Sequence, residues 1–252
     1  MLTLIGLGLC DAKDITLRGK EAIDLAGAVY LEGYTSLLQC THEELETALG
    51  KKIALLLRHD VELNISTVLE QAKNNNVCIL VIGDVFAATT HADLYLRAQE
   101  QHIDVRVIHN TSILTAIGSL GLELYRYGKT VSIPYWMQGF EPTSFLDGIQ
   151  ENYDRGLHTL CLLDIKSDEH RFMTVNEAIA YLLKAEEEKK TGIVTEKTLV
   201  VGVARLGCPD QNIVAGSLSA IKSIDFGKPP HSLVIPGKLH SIEEEMLQLW
   251  KG

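Results

Sequence analysis

Residues 2–108 switch repeatedly between two hydrophobic periods, and that alternation limits the fold more than any single residue does. Five short apolar runs, at 2–9, 28–32, 53–57, 77–82 and 105–108, are rich in β-branched and aliphatic side chains and read as buried strands. Between them, residues 17–26, 41–49, 65–72 and 93–101 carry apolar residues at helical spacing. Local punctuation agrees. Gly27 and Gly50 stand where helices stop, Asp14 is placed to cap the first helix, and Thr41-His42-Glu43-Glu44 has capping-box spacing. Strands and helices in strict alternation imply a mainly parallel sheet with helices on its faces.

The rhythm changes near Asn110-Thr111-Ser112, where a small-residue segment with Gly118 and Gly121 follows. A domain boundary is expected there, giving an N-terminal α/β domain over 1–112 and a C-terminal α/β domain over 113–252. The second half is more strand-rich, with strands expected near 130–132, 159–163, 198–204, 211–214 and 232–235 and helices near 143–153, 175–190 and 242–250. Its sheet is expected to be mixed. A chain of 252 residues is long enough for two modest domains.

Several function classes lack their raw material. The net charge is −10, and the basic residues are dispersed without a Lys/Arg cluster, so direct nucleic-acid binding is not expected. No apolar run approaches the roughly 20 residues that span a bilayer, so no membrane insertion is expected. Met1-Leu2-Thr3-Leu4 has no basic n-region and reads as strand rather than signal peptide. The five cysteines are odd in number and form no CxxC pair, which argues against a disulfide framework or a structural zinc site and fits a reducing cytoplasm. No metal site is expected, since no histidine or carboxylate set has ligand spacing. No G-x-S-x-G elbow and no P-loop lysine occur either.

Two stretches remain with chemical content. Gly6-Leu7-Gly8 directly follows the first strand, and Glu32 closes the second, where a dinucleotide site wants a ribose-binding carboxylate. The third glycine of that fingerprint is missing, and Asp11 in its place would repel a pyrophosphate. The second stretch runs from Gly83-Asp84 to His91. An apolar strand stops abruptly at Gly-Asp and turns into a helix, and open α/β sheets bind ligands at such strand ends. Small side chains, backbone carbonyls and one acid suit a flat ligand carrying positive charge. The same features also fit an ordinary turn in which Asp84 only caps.

The chain resembles the diphthine synthase family of the tetrapyrrole methylase superfamily. The resemblance is carried by Leu4-Ile5-Gly6-Leu7-Gly8-Leu9 with Asp11 and Asp14; by Gly83-Asp84 through Ala88-Thr89-Thr90-His91; by Val107-Ile108-His109-Asn110-Thr111-Ser112-Ile113; by Gly156-Leu157-His158 through Leu163-Asp164-Ile165-Lys166; by Met173-Thr174-Val175-Asn176; and by Pro230-His231-Ser232. It implies two α/β domains of the tetrapyrrole methylase type, working as a homodimer, with S-adenosyl-L-methionine folded into the inter-domain cleft and S-adenosyl-L-homocysteine as product. It implies methylation of the aminocarboxypropyl-modified histidine of translation elongation factor 2 on the way to diphthamide. Carried over position by position, the cofactor contacts fall on Leu9, Asp84, Ala87, Ser112, Ile113, Leu163, Leu206 and His231. Most are expected to act through backbone or apolar contact, with Asp84 the main side-chain exception.

This sequence departs from the family pattern at two places. Val85 stands where proline is common, so φ is no longer fixed by a ring, and Ala87 stands where glycine is common. Methyl transfer from a sulfonium needs neither metal nor acid, because the leaving thioether is neutral. No general base follows from the sequence: Asp164 ends a strand but is equally suited to a structural role, and His91 and His109 are expected to be structural hydrogen-bonders. Two other readings stay open, an NAD(P)-dependent oxidoreductase using Gly6, Gly8 and Glu32, and a non-catalytic protein-binding homologue.

Overall fold

The structure, a computed structural model, describes residues 1–62, 64–87 and 91–252. The Ala88-Thr89-Thr90 part of the family motif thus lies outside the described residues. The chain divides into two compact units, Met1–Leu114 and Thr115–Gly252.

The first unit runs β1 (Leu2–Gly6), α1 (Leu17–Asp24), β2 (Ala28–Glu32), α2 (His42–Leu49), β3 (Ala54–Leu56), α3 (Arg58–Glu62), α4 (Ser66–Asn74), β4 (Val77–Val81), α5 (His91–Glu100) and β5 (Val105–Ile108), and the short α6 (Ile113–Ala116) falls on the division between the units. Its five strands form one sheet in the order β3-β2-β4-β1-β5, and every pairing is parallel. Both faces are covered, which is why the central strands read as continuous apolar runs rather than alternating ones. Leu2, Leu4, Val77, Ile79 and Val81 pack on one side with Leu69, Ala72, Leu94 and Ala98. Ile5, Leu7, Cys78, Leu80 and Ile108 pack on the other with Ile23, Leu45 and Leu49.

Two local expectations change. β1 ends at Gly6 rather than Leu9, because Gly8 adopts φ +84° and turns the chain. Asp14 does not cap α1. That role belongs to Thr16, whose side chain accepts from Gly19 N, while Asp14 Oδ2 accepts from Leu9 N at 3.1 Å and Cys10 N at 2.7 Å. The Thr41–Glu44 capping box forms as its spacing indicates.

The second unit contains β6 (Val131–Ile133), α7 (Ser144–Asp154), β7 (Thr159–Leu163), β8 (Ile165–Lys166), β9 (Arg171–Phe172), α8 (Val175–Lys189), β10 (Leu199–Ala204), β11 (Asn212–Ser217), α9 (Leu218–Ile221), β12 (His231–Ile235) and α10 (Ser241–Gln248). Its main sheet has the order β11-β10-β12-β7-β6. Only β6–β7 among these pairs is parallel; β10–β11, β10–β12 and β12–β7 are antiparallel. The sheet is therefore mixed, as its strand-rich sequence implies. Among the described residues, no helix is long and apolar enough to cross a membrane. Cys40, Cys78 and Cys161 are free thiols, whereas Cys10 and Cys208 are not free.

Candidate active site

In the first unit the sheet order sets β4, β1 and β5 side by side and all parallel, so the segments after them emerge at one edge. Leu9 follows β1, Asp84 and Ala87 follow β4, and Ser112 and Ile113 follow β5. Five of the eight expected cofactor contacts are thereby brought together at the carboxyl ends of adjacent strands, where open α/β sheets place ligands.

The first two of these segments are stitched by a backbone bridge. Gly8 N donates to Gly83 O at 3.2 Å and Gly83 N to Gly8 O at 2.8 Å. The approach requires glycine. A Cβ on Gly6 would lie 2.6 Å from the Gly83 carbonyl oxygen, and Gly8 and Gly83 both have φ above +80°. The Gly6-x-Gly8 motif therefore serves packing of β1 against the turn after β4. Glu32 is equally committed: fully buried, it accepts from Tyr34 N, Thr35 N and the Thr35 hydroxyl, the last at 2.5 Å. A carboxylate so held does not reach out to a ribose.

Asp84 joins the loops after β4 and β5. Its Oδ1 accepts from Phe86 N at 3.1 Å; its Oδ2 accepts from Asn110 N at 3.0 Å and from His109 Nδ1 at 2.9 Å. Burial alone would push this carboxyl up, but the Asn110 and Phe86 N–H groups and His109 outweigh it and hold it below the ordinary carboxylate range. Asp84 is an anion at neutral pH. Asn110 completes the junction, its Nδ2 donating to Gly6 O and Asp14 O at 3.0 Å each. Nothing in the residue types marks Asn110 as special; only the fold shows that it ties three segments together. The motif's proline position is filled by Val85, which is fully buried, so the substitution trades a fixed φ for apolar packing.

The other three expected contacts lie in the second unit. Leu163 ends β7, His231 begins β12, and Leu206 lies two residues beyond β10. Ser232 pairs with Leu162 and His231 with Ala204, so these three residues share one edge of the second sheet. All three are buried. Both ring nitrogens of His231 are engaged: Nδ1 accepts from Val175 N at 3.3 Å, and Nε2 donates to Gly227 O and Lys228 O at 3.1 Å each. Burial holds its pKa down, so the ring is neutral and leaves only its backbone to meet a ligand.

Asp164 is a clasp. Its Oδ2 accepts from Tyr135 N at 2.9 Å, and its carbonyl accepts from Met173 N. His91 is 1% exposed. Glu123, His240 and Glu243 offer ligand atoms within 4.8 Å of one another. Glu243 already accepts from the Arg126 guanidinium, His158 and two backbone N–H groups, so a fixed cation stands where a metal would have to bind.

Comparison with known proteins follows the same lines. The sequence pattern of the tetrapyrrole (corrin/porphyrin) methylases matches residues 1–222. A diphthine methyl ester synthase of Homo sapiens is 45% identical over 99% of this chain and 95% of its own length. A diphthine synthase of Methanocaldococcus jannaschii is 45% identical over 98% of both chains. A crystal structure of a diphthine synthase superposes with a TM-score of 0.90 at 36% identity, covering 99% of this chain and 95% of the other.

Proposed function

The chain belongs to the tetrapyrrole methylase family, among the diphthine synthases, and from that premise we propose that it methylates the aminocarboxypropyl-modified histidine of translation elongation factor 2. It is an S-adenosyl-L-methionine-dependent methyltransferase. The donor is held by Leu9, Asp84, Ala87, Ser112 and Ile113 of the first unit and by Leu163, Leu206 and His231 of the second. The protein works as a homodimer in the cytoplasm. The observation that carries this reading is the convergence of Leu9, Asp84, Ala87, Ser112 and Ile113 at adjacent parallel strand ends, in a chain 45% identical to diphthine synthases over nearly its whole length.

In this arrangement the protein does its work by positioning. Holding nucleophile and methyl carbon in line is worth about 7–11 kcal/mol. The Asp84 anion at the strand ends favours a cationic ligand such as a sulfonium or an ammonium, and the small residues beside it admit that ligand to the backbone. The oxidoreductase reading loses its ground, because Glu32 and the two glycines are spent on the fold.

A thermal shift panel tests the cofactor. S-adenosylmethionine or S-adenosylhomocysteine at about 100 times its dissociation constant adds roughly 2.7 kcal/mol of stability, and NAD(P) adds none. Stabilisation by NAD(P) alone would sink the methyltransferase reading; silence toward all of them would favour a non-catalytic homologue. Mass spectrometry of the elongation factor after reaction then counts the methyl groups added.

Asp84→Ala carries a second expectation. It releases the Asn110 N–H and the His109 ring together, so the turns after β4 and β5 lose their common anchor. S-adenosylhomocysteine affinity, read by calorimetry, falls at least tenfold while the far-ultraviolet circular dichroism is unchanged. Normal binding by this variant would remove Asp84 from the site.

A further inference from the structure

We propose that His109 is the base that takes the proton from the acceptor's amino group, with Asp84 holding its ring in the required tautomer. This rests on the methyltransferase reading above and assigns a catalytic group that the sequence did not supply, where His109 was expected to be structural.

The geometry separates His109 from the other candidates. It is the first residue past β5, and its side chain is 68% exposed, against 16% for Asp84. An ionised carboxylate can only accept, so the proton in the 2.9 Å contact between Asp84 Oδ2 and the ring sits on Nδ1. In the neutral ring Nε2 then carries the lone pair, on an exposed side chain. Asp84 cannot drift with the ring, because the Phe86 and Asn110 N–H groups pin its two oxygens. The Phe86 ring tilts against the imidazole with centroids 6.4 Å apart and gives it one apolar wall. A base oriented by a fixed carboxylate, with its other nitrogen exposed, is the arrangement that general-base catalysis needs. His109 also sits three residues before Ser112 on the same segment, next to the residues proposed to hold the methyl donor.

The proton balance explains why a base matters here. The acceptor amine arrives as an ammonium, and Nε2 takes one proton from it. The freed lone pair attacks the methyl carbon, the carbon–sulfur bond breaks, and its electron pair stays on sulfur as a neutral thioether. The product nitrogen is again a cation and must lose a proton before the next transfer. The proton on Nε2 passes to solvent, to which the ring is open. Methylation of a carboxylate oxygen, by contrast, removes no proton at all.

The test uses the full chain, S-adenosylmethionine and elongation factor 2 bearing the aminocarboxypropyl histidine, with single-turnover N-methylation followed by mass spectrometry. His109→Asn and His109→Ala are both made, so that one misfolded variant does not decide the matter. In both, N-methylation slows by about 10²-fold or more, while S-adenosylhomocysteine affinity stays within threefold of the parent. The deficit narrows as pH rises and hydroxide does the base's work. Among the described residues Asp84 is the ionisable group paired with the ring, and it is ionised throughout that range. A purely structural residue would lower cofactor affinity and leave the pH profile parallel to that of the parent. N-methylation within threefold of the parent, a deficit constant with pH, or a parallel loss of cofactor affinity would each overturn the proposal. Failure of the parent protein to bind S-adenosylhomocysteine would instead overturn the methyltransferase reading on which it rests.

Discussion

Glu243→Ala lowers the stability of the second unit by about 3–5 kcal/mol, the usual cost of removing one partner from a buried ion pair. Glu243 lies on α10, and its side chain is fully buried. Oε1 accepts from His158 Nε2 at 2.9 Å and Glu123 N at 3.1 Å; Oε2 accepts from Arg126 Nη1 at 2.5 Å and His240 N at 3.2 Å. His158 is itself fully buried, and its Nδ1 accepts from Gly237 N at 3.0 Å, which places its proton on Nε2 toward Glu243. Burial pushes the His158 pKa down and keeps the ring neutral, so the charge on Glu243 is balanced by Arg126. The alanine variant strands that guanidinium and a buried imidazole N–H together.

The same network sets an acid limit. Burial would raise the Glu243 pKa, but the Glu123 N–H, His158 and the His240 N–H outweigh it and hold the carboxyl below its ordinary value. A carboxyl depressed in the folded state contributes stability above its unfolded pKa, and that contribution is lost as pH falls through the folded value. Hydrogen exchange of α10 and β7 amides reads both effects within the second unit. Protection unchanged in Glu243→Ala would show that the four donors find other acceptors at little cost.

The fold was legible where one side-chain pattern decides it. The strands at 28–32 and 77–82 are recognisable because parallel strands covered on both faces must be apolar throughout, and Thr41 and Glu44 announce a helix start by chemistry that is wholly local. Two-residue strands such as Ile165–Lys166 and Arg171–Phe172 are too short to display a period. Asp14 shows a different limit. An acid three residues before a helix is an obvious cap, yet Thr16 has the shorter route to the Gly19 N–H, and Asp14 instead folds back on Leu9 and Cys10. The proposed site comes from resemblance rather than from chemistry, because Leu9, Ile113, Leu163 and Leu206 have no polar side chain to mark a ligand. His231 points the same way: a polar ring marks it in the sequence, but both nitrogens are consumed inside the fold. Asn110 and His109 were invisible as partners of Asp84 because a strand and a helix separate them in sequence.

Gly8→Val tests whether the backbone itself forms the cofactor cradle. Gly8 has φ +84°, and a Cβ there would stand 2.6 Å from the Asp14 Cβ. Valine is penalised twice, by a left-handed backbone that a β-branched residue avoids and by collision with the residue whose carboxylate holds Leu9 N and Cys10 N. The chain relieves both by swinging the Leu7–Cys10 turn outward, which breaks the paired hydrogen bonds between Gly8 and Gly83. Leu9 and Asp84 then part, although neither has been mutated. S-adenosylhomocysteine affinity is expected to fall at least 100-fold, about 2.7 kcal/mol, with β1 still paired to β4 and β5. Gly50→Ala is the matched control. Its φ is +66°, yet nothing lies within 4 Å of the added Cβ, and it caps α2 far from these strand ends in sequence. It carries the conformational penalty of about 1 kcal/mol alone and leaves cofactor affinity unchanged. If Gly8→Val also binds normally, the glycine-bridged turns belong to the fold and not to the site, and the donor must be held by side chains elsewhere.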